Sequence, residues 1–156
     1  MKSLSITLLF ALLLSGCSRD PFEPFEFFYN VNGQKAVVIS VLPGDSGIEM
    51  RTRVYPEDGE LGLGEVAARD DTRVLTAQEA TEIQRLFHAV EFSALDNDEY
   101  IPPLDASLWA VNTRETVDDY FTVLEPSEDT TGRNLVEFVA LGTYLWELAR
   151  LEGDRY

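Results

Sequence analysis

FEFFYNVNGQKAVVISVL (Phe25–Leu42) reads as two strands, and in IEMRTRVY (Ile48–Tyr55) apolar and polar residues alternate with a period of two. That period marks strands that bury one side. Asn32-Gly33 interrupts the first stretch, and both residue types tolerate the positive φ of a type I′ turn. A two-residue loop there predicts a hairpin in which Val31 faces Gln34 and Phe27 faces Val38. PGDSG (Pro43–Gly47) is turn chemistry and leads into a third strand. In that strand Ile48, Met50, Thr52 and Val54 share one side, and Glu49, Arg51 and Arg53 share the other. This register places Phe25, Phe27, Tyr29, Ala36, Val38, Leu42, Ile48, Met50 and Val54 on one common face. The opposite face then carries Phe28, Val37, Ile39 and Val41 beside the three charged residues, less polar than a solvated sheet requires. Either a second layer covers it, the more expected arrangement, or it binds a partner. Phe28, Ile39, Arg51 and Arg53 are the candidate interaction face.

The pattern changes after Tyr55. PEDGELGLGE (Pro56–Glu65) is a loop by composition, with short strands expected at Val66–Arg69 and Thr72–Leu75 around Asp70-Asp71. TAQEATEIQRLFHAV switches to helical spacing, with Ala80, Ile83, Leu86, Phe87 and Val90 on one side. Thr76 and Glu79 stand at capping-box spacing at its start. DNDEYIPPLD is an acidic, proline-broken loop, and SLWAVN with VDDYFTVLEP predicts a second hairpin across Thr113–Thr116. A last helix is expected from about Arg133 to Arg150. Its stripe is Leu135, Phe138, Val139, Gly142, Leu145, Trp146 and Ala149, widened by Leu141 and Leu148. Gly142 sits mid-stripe, where a missing side chain permits close backbone approach. Trp109, Tyr120 and Trp146 are expected in the core. Strand hairpins closed by helices define an α+β fold: an antiparallel sheet of hairpins and meander with two packed helices, order βββ(ββ)-α-ββ-α. One domain spans residues 25–152.

The first residues, MKSLSITLLFALLLSGC, have a different character. Lys2 precedes an uncharged run from Leu4 to Leu14, then the small residues Ser15 and Gly16 and the single cysteine of the chain, Cys17. Charge, apolar core and small-residue cut site are the layout of a secretory leader. At about 1.5 Å per helical residue the run reaches roughly 16 Å, too short for a bilayer core of about 30 Å. One cysteine excludes an intramolecular disulfide.

Leu14-Ser15-Gly16-Cys17 resembles the lipobox of bacterial lipoproteins. The resemblance implies a leader over residues 1–16, cleavage between Gly16 and Cys17, and a lipid on the Cys17 thiol. Residues 17–24 then form a short lipidated linker. Two acyl chains already anchor stably at about 0.8 kcal/mol per buried CH₂. The family's aspartate retention signal after the cysteine is replaced here by Ser18, which implies the outer membrane, facing the periplasm. At about 3.3 Å per residue, Ser18–Pro24 holds the folded part close to the membrane, with Phe22 and Phe25 within reach of its interface. The stretch from Ala80 to Leu151 is also similar to small bacterial lipoproteins and secreted domains of unassigned activity, a likeness that implies no function.

Charge narrows the partners. Loss of Lys2 with the leader leaves 11 basic against 28 acidic residues, a net of −17. Such a surface repels nucleic acid and anionic lipid. GDSG (Gly44–Gly47) matches part of a serine-protease motif, but the only histidine, His88, follows the serine against that family's order and points away from the apolar stripe of its helix. With no second histidine, and with Cys17 lipidated, the sequence does not point to a typical zinc site. Asp96, Asp98, Glu99 and Asp105 lack the glycine and distal glutamate of an EF-hand. The glycines at 59, 62 and 64 do not form a nucleotide-binding spacing. With 28 acids, a carboxylate pair at glycosidase distance arises by chance. The expectation is therefore a non-enzymatic protein-binding module without cofactor or metal, docking its partner on the sheet face or on the wide last helix. The alternative is an acidic inhibitor or immunity-type protein that neutralises a basic lysozyme or toxin. A carboxylate-dependent hydrolase is the third reading.

Overall fold

The computed structural model describes residues 22–31, 35–55, 67–95, 100–101, 106–113 and 120–151. Six strands form one antiparallel sheet: β1 (Phe25–Val31), β2 (Lys35–Gly44), β3 (Gly47–Tyr55), β4 (Arg69–Val74), β5 (Leu108–Thr113) and β6 (Tyr120–Leu124), in the order β4-β3-β2-β1-β5-β6. Three helices among the described residues complete the α+β fold: α1 (Ala77–Ala89), α2 (Phe92–Leu95) and α3 (Val136–Leu148). β1 is central, paired on one side with β2 and on the other with β5, more than 75 residues away in sequence.

The register of the first hairpin differs from the expected one. Val31 pairs with Lys35 and Phe27 with Ile39, so three residues, 32–34, separate the strands. A shift of one residue turns every β2 side chain to the other side of the sheet. Val37, Ile39 and Val41 therefore join Phe25, Phe27 and Tyr29 in the core, all at most 2% exposed, while Ala36, Val38 and Leu42 move to the opposite face. The physical reason is burial: three β-branched side chains against an aromatic strand remove more apolar surface from water than Ala36, Val38 and Leu42, with Ser40 between them, would. Asn32-Gly33 lies outside the described residues. So do the 56–65 loop, the acidic side chains at 96, 98, 99 and 105, and the 114–119 connection.

Two further expectations change. A single strand, β4, replaces the two short ones, with Asp70-Asp71 inside it; as an edge strand it tolerates charge on both sides. Its core-side arginines tie down the helices. Arg73 donates to both carboxylate oxygens of Glu79 at 3.1 Å, and Arg69 donates to the carbonyl of Ala149 at 3.1 Å, just past the end of α3. The last helix is shorter than expected. Turns occupy residues 126–134, where Asp129 and Asn134 have φ of 42° and 56°, and no side chain caps Leu135.

All three helices meet the same side of the sheet. Phe87 of α1 stacks on Phe25 at 4.6 Å, Phe92 of α2 touches Phe121 at 5.1 Å, and Phe138 of α3 stacks on Phe27 at 5.1 Å. Trp109 and Trp146 flank Tyr29 edge-on at 5.1 and 5.2 Å, both buried as expected. Tyr120 is not: it is 50% exposed and on the other face of the sheet, because its pairing with Asn112 sets it out of phase with Phe121 and Val123. The Gly142 backbone lies directly over this aromatic layer. A β-carbon there would stand 2.7 Å from Trp109 Cε3 and 2.9 Å from Phe27 Cζ. The Tyr29 hydroxyl donates to the Gly142 carbonyl at 2.6 Å.

Gly142→Ala is therefore expected to cost about 1–3 kcal/mol through overpacking, and Tyr29→Phe about 1 kcal/mol, both read as shifts of the urea midpoint. The Thr76/Glu79 capping box is formed as expected, and the Arg73 guanidinium with the Thr76 amide holds the Glu79 carboxyl down at about 2. A carboxyl depressed in the folded state contributes stability above its unfolded pKa, and that contribution is lost as pH falls towards the folded value. Thermal melts between about pH 5 and about pH 2 should show a smaller acid-induced loss of Tm in Glu79→Gln than in the wild type.

Candidate functional site

The side of the sheet away from the helices carries two ladders of side chains, aligned by the strand register. One runs Tyr120, Asn112, Glu26, Ser40, Arg51, Thr72. The next runs Thr122, Ala110, Phe28, Val38, Arg53, Asp70. Period-two alternation within each strand puts these residues on one face; the antiparallel pairing brings residues nearly a hundred positions apart into one row.

At the centre is Glu26, on the innermost strand. Its Oε1 accepts from Ser40 Oγ at 2.6 Å and from Arg53 Nη2 at 3.0 Å. Ser40 is 6% exposed, so this carboxylate satisfies a buried hydroxyl as well as a guanidinium. Further out, Arg51 grips Asp70 through both Nε and Nη2, at 2.8 and 2.5 Å. That bidentate bond holds the Asp70 carboxyl below its usual range and raises Arg51 above its own. Both groups stay charged across the physiological range, yet their exposure makes the pair a weak contributor to stability.

Between these pairs is a hollow of about 400 Å³ lined by Glu26, Ser40, Leu42, Arg51, Arg53 and Asn112. Two buried polar atoms on it, Arg53 Nε and Asn112 Oδ1, have no hydrogen-bond partner among the described residues. Unmet buried donors and acceptors are uncommon and costly. Two guanidiniums here stand against the carboxylates of Glu26 and Asp70, with Glu49 beside Leu42 on the same face. Half-buried Phe28, Val38 and Leu42 give it an apolar floor. No described helix packs on this side, so the second covering layer is not found among the described residues.

Of the four residues expected on an interaction face, Phe28, Arg51 and Arg53 are brought together here. Ile39 is not: it is fully buried on the helix side, a direct consequence of the one-residue register shift. Gly16 and Cys17 lie outside the described residues. Glu26, Ser40, Asp70 and Asn112 were not anticipated as neighbours. The alternation of Phe25, Glu26 and Phe27 pointed Glu26 away from the core, but only the β1–β5 pairing could bring Asn112 beside it. His88 is exposed and takes a 2.7 Å hydrogen bond with Gln84. Among the described residues no cluster of three potential metal ligands occurs, and no helix is long and apolar enough to cross a membrane. No protein-family model, no curated protein and no solved structure matches the chain.

The two ion pairs should behave differently on truncation. Glu26→Ala orphans a buried hydroxyl and a half-buried guanidinium and is expected to cost about 1–3 kcal/mol. Asp70→Ala should leave the urea midpoint unchanged. Equal destabilisation by both would show that the face depends on the outer pair as much as on the inner one.

Proposed function

We propose that this protein is a non-enzymatic protein-binding module of the bacterial cell envelope. A lipid on Cys17 tethers it to the outer membrane, facing the periplasm, and it takes its partner on the sheet face away from the helices. One observation carries the reading: every described helix lies on the same side of the sheet, and the other side combines half-buried apolar side chains with hydrogen-bonding groups that lack partners. An apolar floor with a polar rim is the anatomy of an interface. The tether rests on the sequence from Leu14 to Cys17, and the few residues between Cys17 and Phe22 keep the domain near its anchor.

The net charge supports a second reading, an acidic inhibitor that neutralises a basic lysozyme or toxin. Salt separates the two, because association driven by exposed charge weakens steeply as screening rises. A photo-crosslinking amino acid in place of Phe28, and one in place of exposed Val136 on α3 as a control, would be irradiated in envelope extract. At about 50 and about 500 mM salt, the binding-module reading expects one adduct, from position 28 and not 136, that survives high salt. An adduct lost at high salt favours the inhibitor. Labelled palmitate that fails to enter the wild-type protein, with Cys17→Ser staying in the membrane fraction, would remove the tether.

A further inference from the structure

The chain enters the fold at a fixed point close to Cys17. Phe22 packs against the edge of the core, so only residues 18–21 separate the fold from the cysteine. Five residue steps reach at most about 18 Å. The strands are longer: β2 has 10 residues, roughly 33 Å at 3.3 Å each. A surface bonded to Cys17 is therefore within reach of the sheet end that carries Phe22. It is out of reach of the opposite end, where Lys35 and Arg69 begin their strands.

Several elements build the near end. β1 begins there, with Phe25 paired to Val41. The turn from Gly44 to Gly47 joins β2 to β3, and β4 ends there at Val74, opposite Glu49. α1 follows β4 and crosses the strands instead of running along them: its last turn reaches β1, where Phe87 stacks on Phe25 at 4.6 Å. Its 13 residues cover about 20 Å, enough for the three strand spacings of about 14 Å between β4 and β1. One flank of α1 thus lies along this end of the sheet.

The charge of that flank is unlike the rest of the chain. Thr81, Gln84, Arg85 and His88 share a surface with Phe22 and Ser46, and no described side chain lining it is a carboxylate. Exposed Glu23 and Asp45 border it. Arg85 is held by Glu82 at 2.7 Å, so the flank is not a cationic pocket either. The acids of α1 turn towards α3 and β4. Glu79 accepts from Arg73, and burial followed by the charges of Glu79 and Glu82 pushes the Tyr144 hydroxyl of α3 up.

We infer that this end of the domain, with the outer flank of α1, is its lipid-facing surface, seated against the phosphate headgroups of the bilayer that holds the Cys17 lipid. The inference rests on the tether proposed above. The occupant follows from the length of the connection and the place where it enters the fold. Charge agrees with it, because carboxylates within a Debye length of about 8 Å are repelled by phosphates, and this flank lacks them in a chain with 28 acids. The seating stands the sheet upright on the membrane, with its helix-free face turned sideways to the periplasm.

The test uses the processed, lipidated chain in vesicles of phosphatidylethanolamine and phosphatidylglycerol that contain a lipid with a nitroxide headgroup. The lipid occupies the native thiol, so a fluorophore labels only an added cysteine. Three exposed positions are compared: Thr81→Cys on α1, Ala68→Cys at the far end beside Val54, and Thr72→Cys on the sheet face. The expected result is quenching at least threefold stronger at position 81 than at 68 or 72, with unchanged melting temperatures. Quenching at 68 or 72 equal to that at 81, or no quenching at any of them, in a chain that floats with the vesicles would overturn the seating and leave the tether standing. A wild-type chain that does not float with the vesicles would remove both.

Discussion

A helix can lie flat on a sheet of aromatic side chains only where its own side chains make room. Here that room is a single position, Gly142. The tip of Trp109 and the ring of Phe27 occupy the space a β-carbon would need, and the Tyr29 hydroxyl closes the contact on the Gly142 carbonyl. Residues of β1, β5 and α3 meet at this point, so it joins the two halves of the chain. The Phe27, Tyr29, Trp109, Phe138 and Trp146 cluster is built around it. Phe87 and Phe25 extend the layer to α1.

That contact also determines which face of the sheet carries no described helix. With the aromatic layer committed to α3 and α1, the six strands present their remaining side chains on the other side. The edge strand β4 serves both sides. Arg69 and Arg73 reach inward to the end of α3 and the start of α1, while Asp70 reaches outward to Arg51. Alternation along one strand thus fastens the helices and furnishes the open face at once. Charge also blunts that edge against pairing with another chain.

On the sheet face away from the helices, Arg51 and Arg53 are engaged by Asp70 and Glu26, with Glu49 on the same face. A strongly acidic chain that sets two guanidiniums against carboxylates on one sheet face has an uneven surface, and net charge alone does not describe it.

By itself the sequence determined the local elements: the strands from their period of two, α1 from its stripe and capping box, α3 from its wide apolar face, and the α+β class from their order. It also marked Gly142 as a point of close approach and His88 as exposed. These are properties of short windows, governed by backbone geometry and neighbouring side chains. Tertiary structure decided the rest. The Asn32-Gly33 signal favoured a two-residue loop, but the burial of Val37, Ile39 and Val41 against β1 outweighed it, and the one-residue shift moved Ile39 from the expected interaction face into the core. The place of β5 beside β1 put Asn112 next to Glu26 and turned Tyr120 outward. No local rule sets which distant strands pair, because that choice is made by the total apolar surface the whole chain can remove from water.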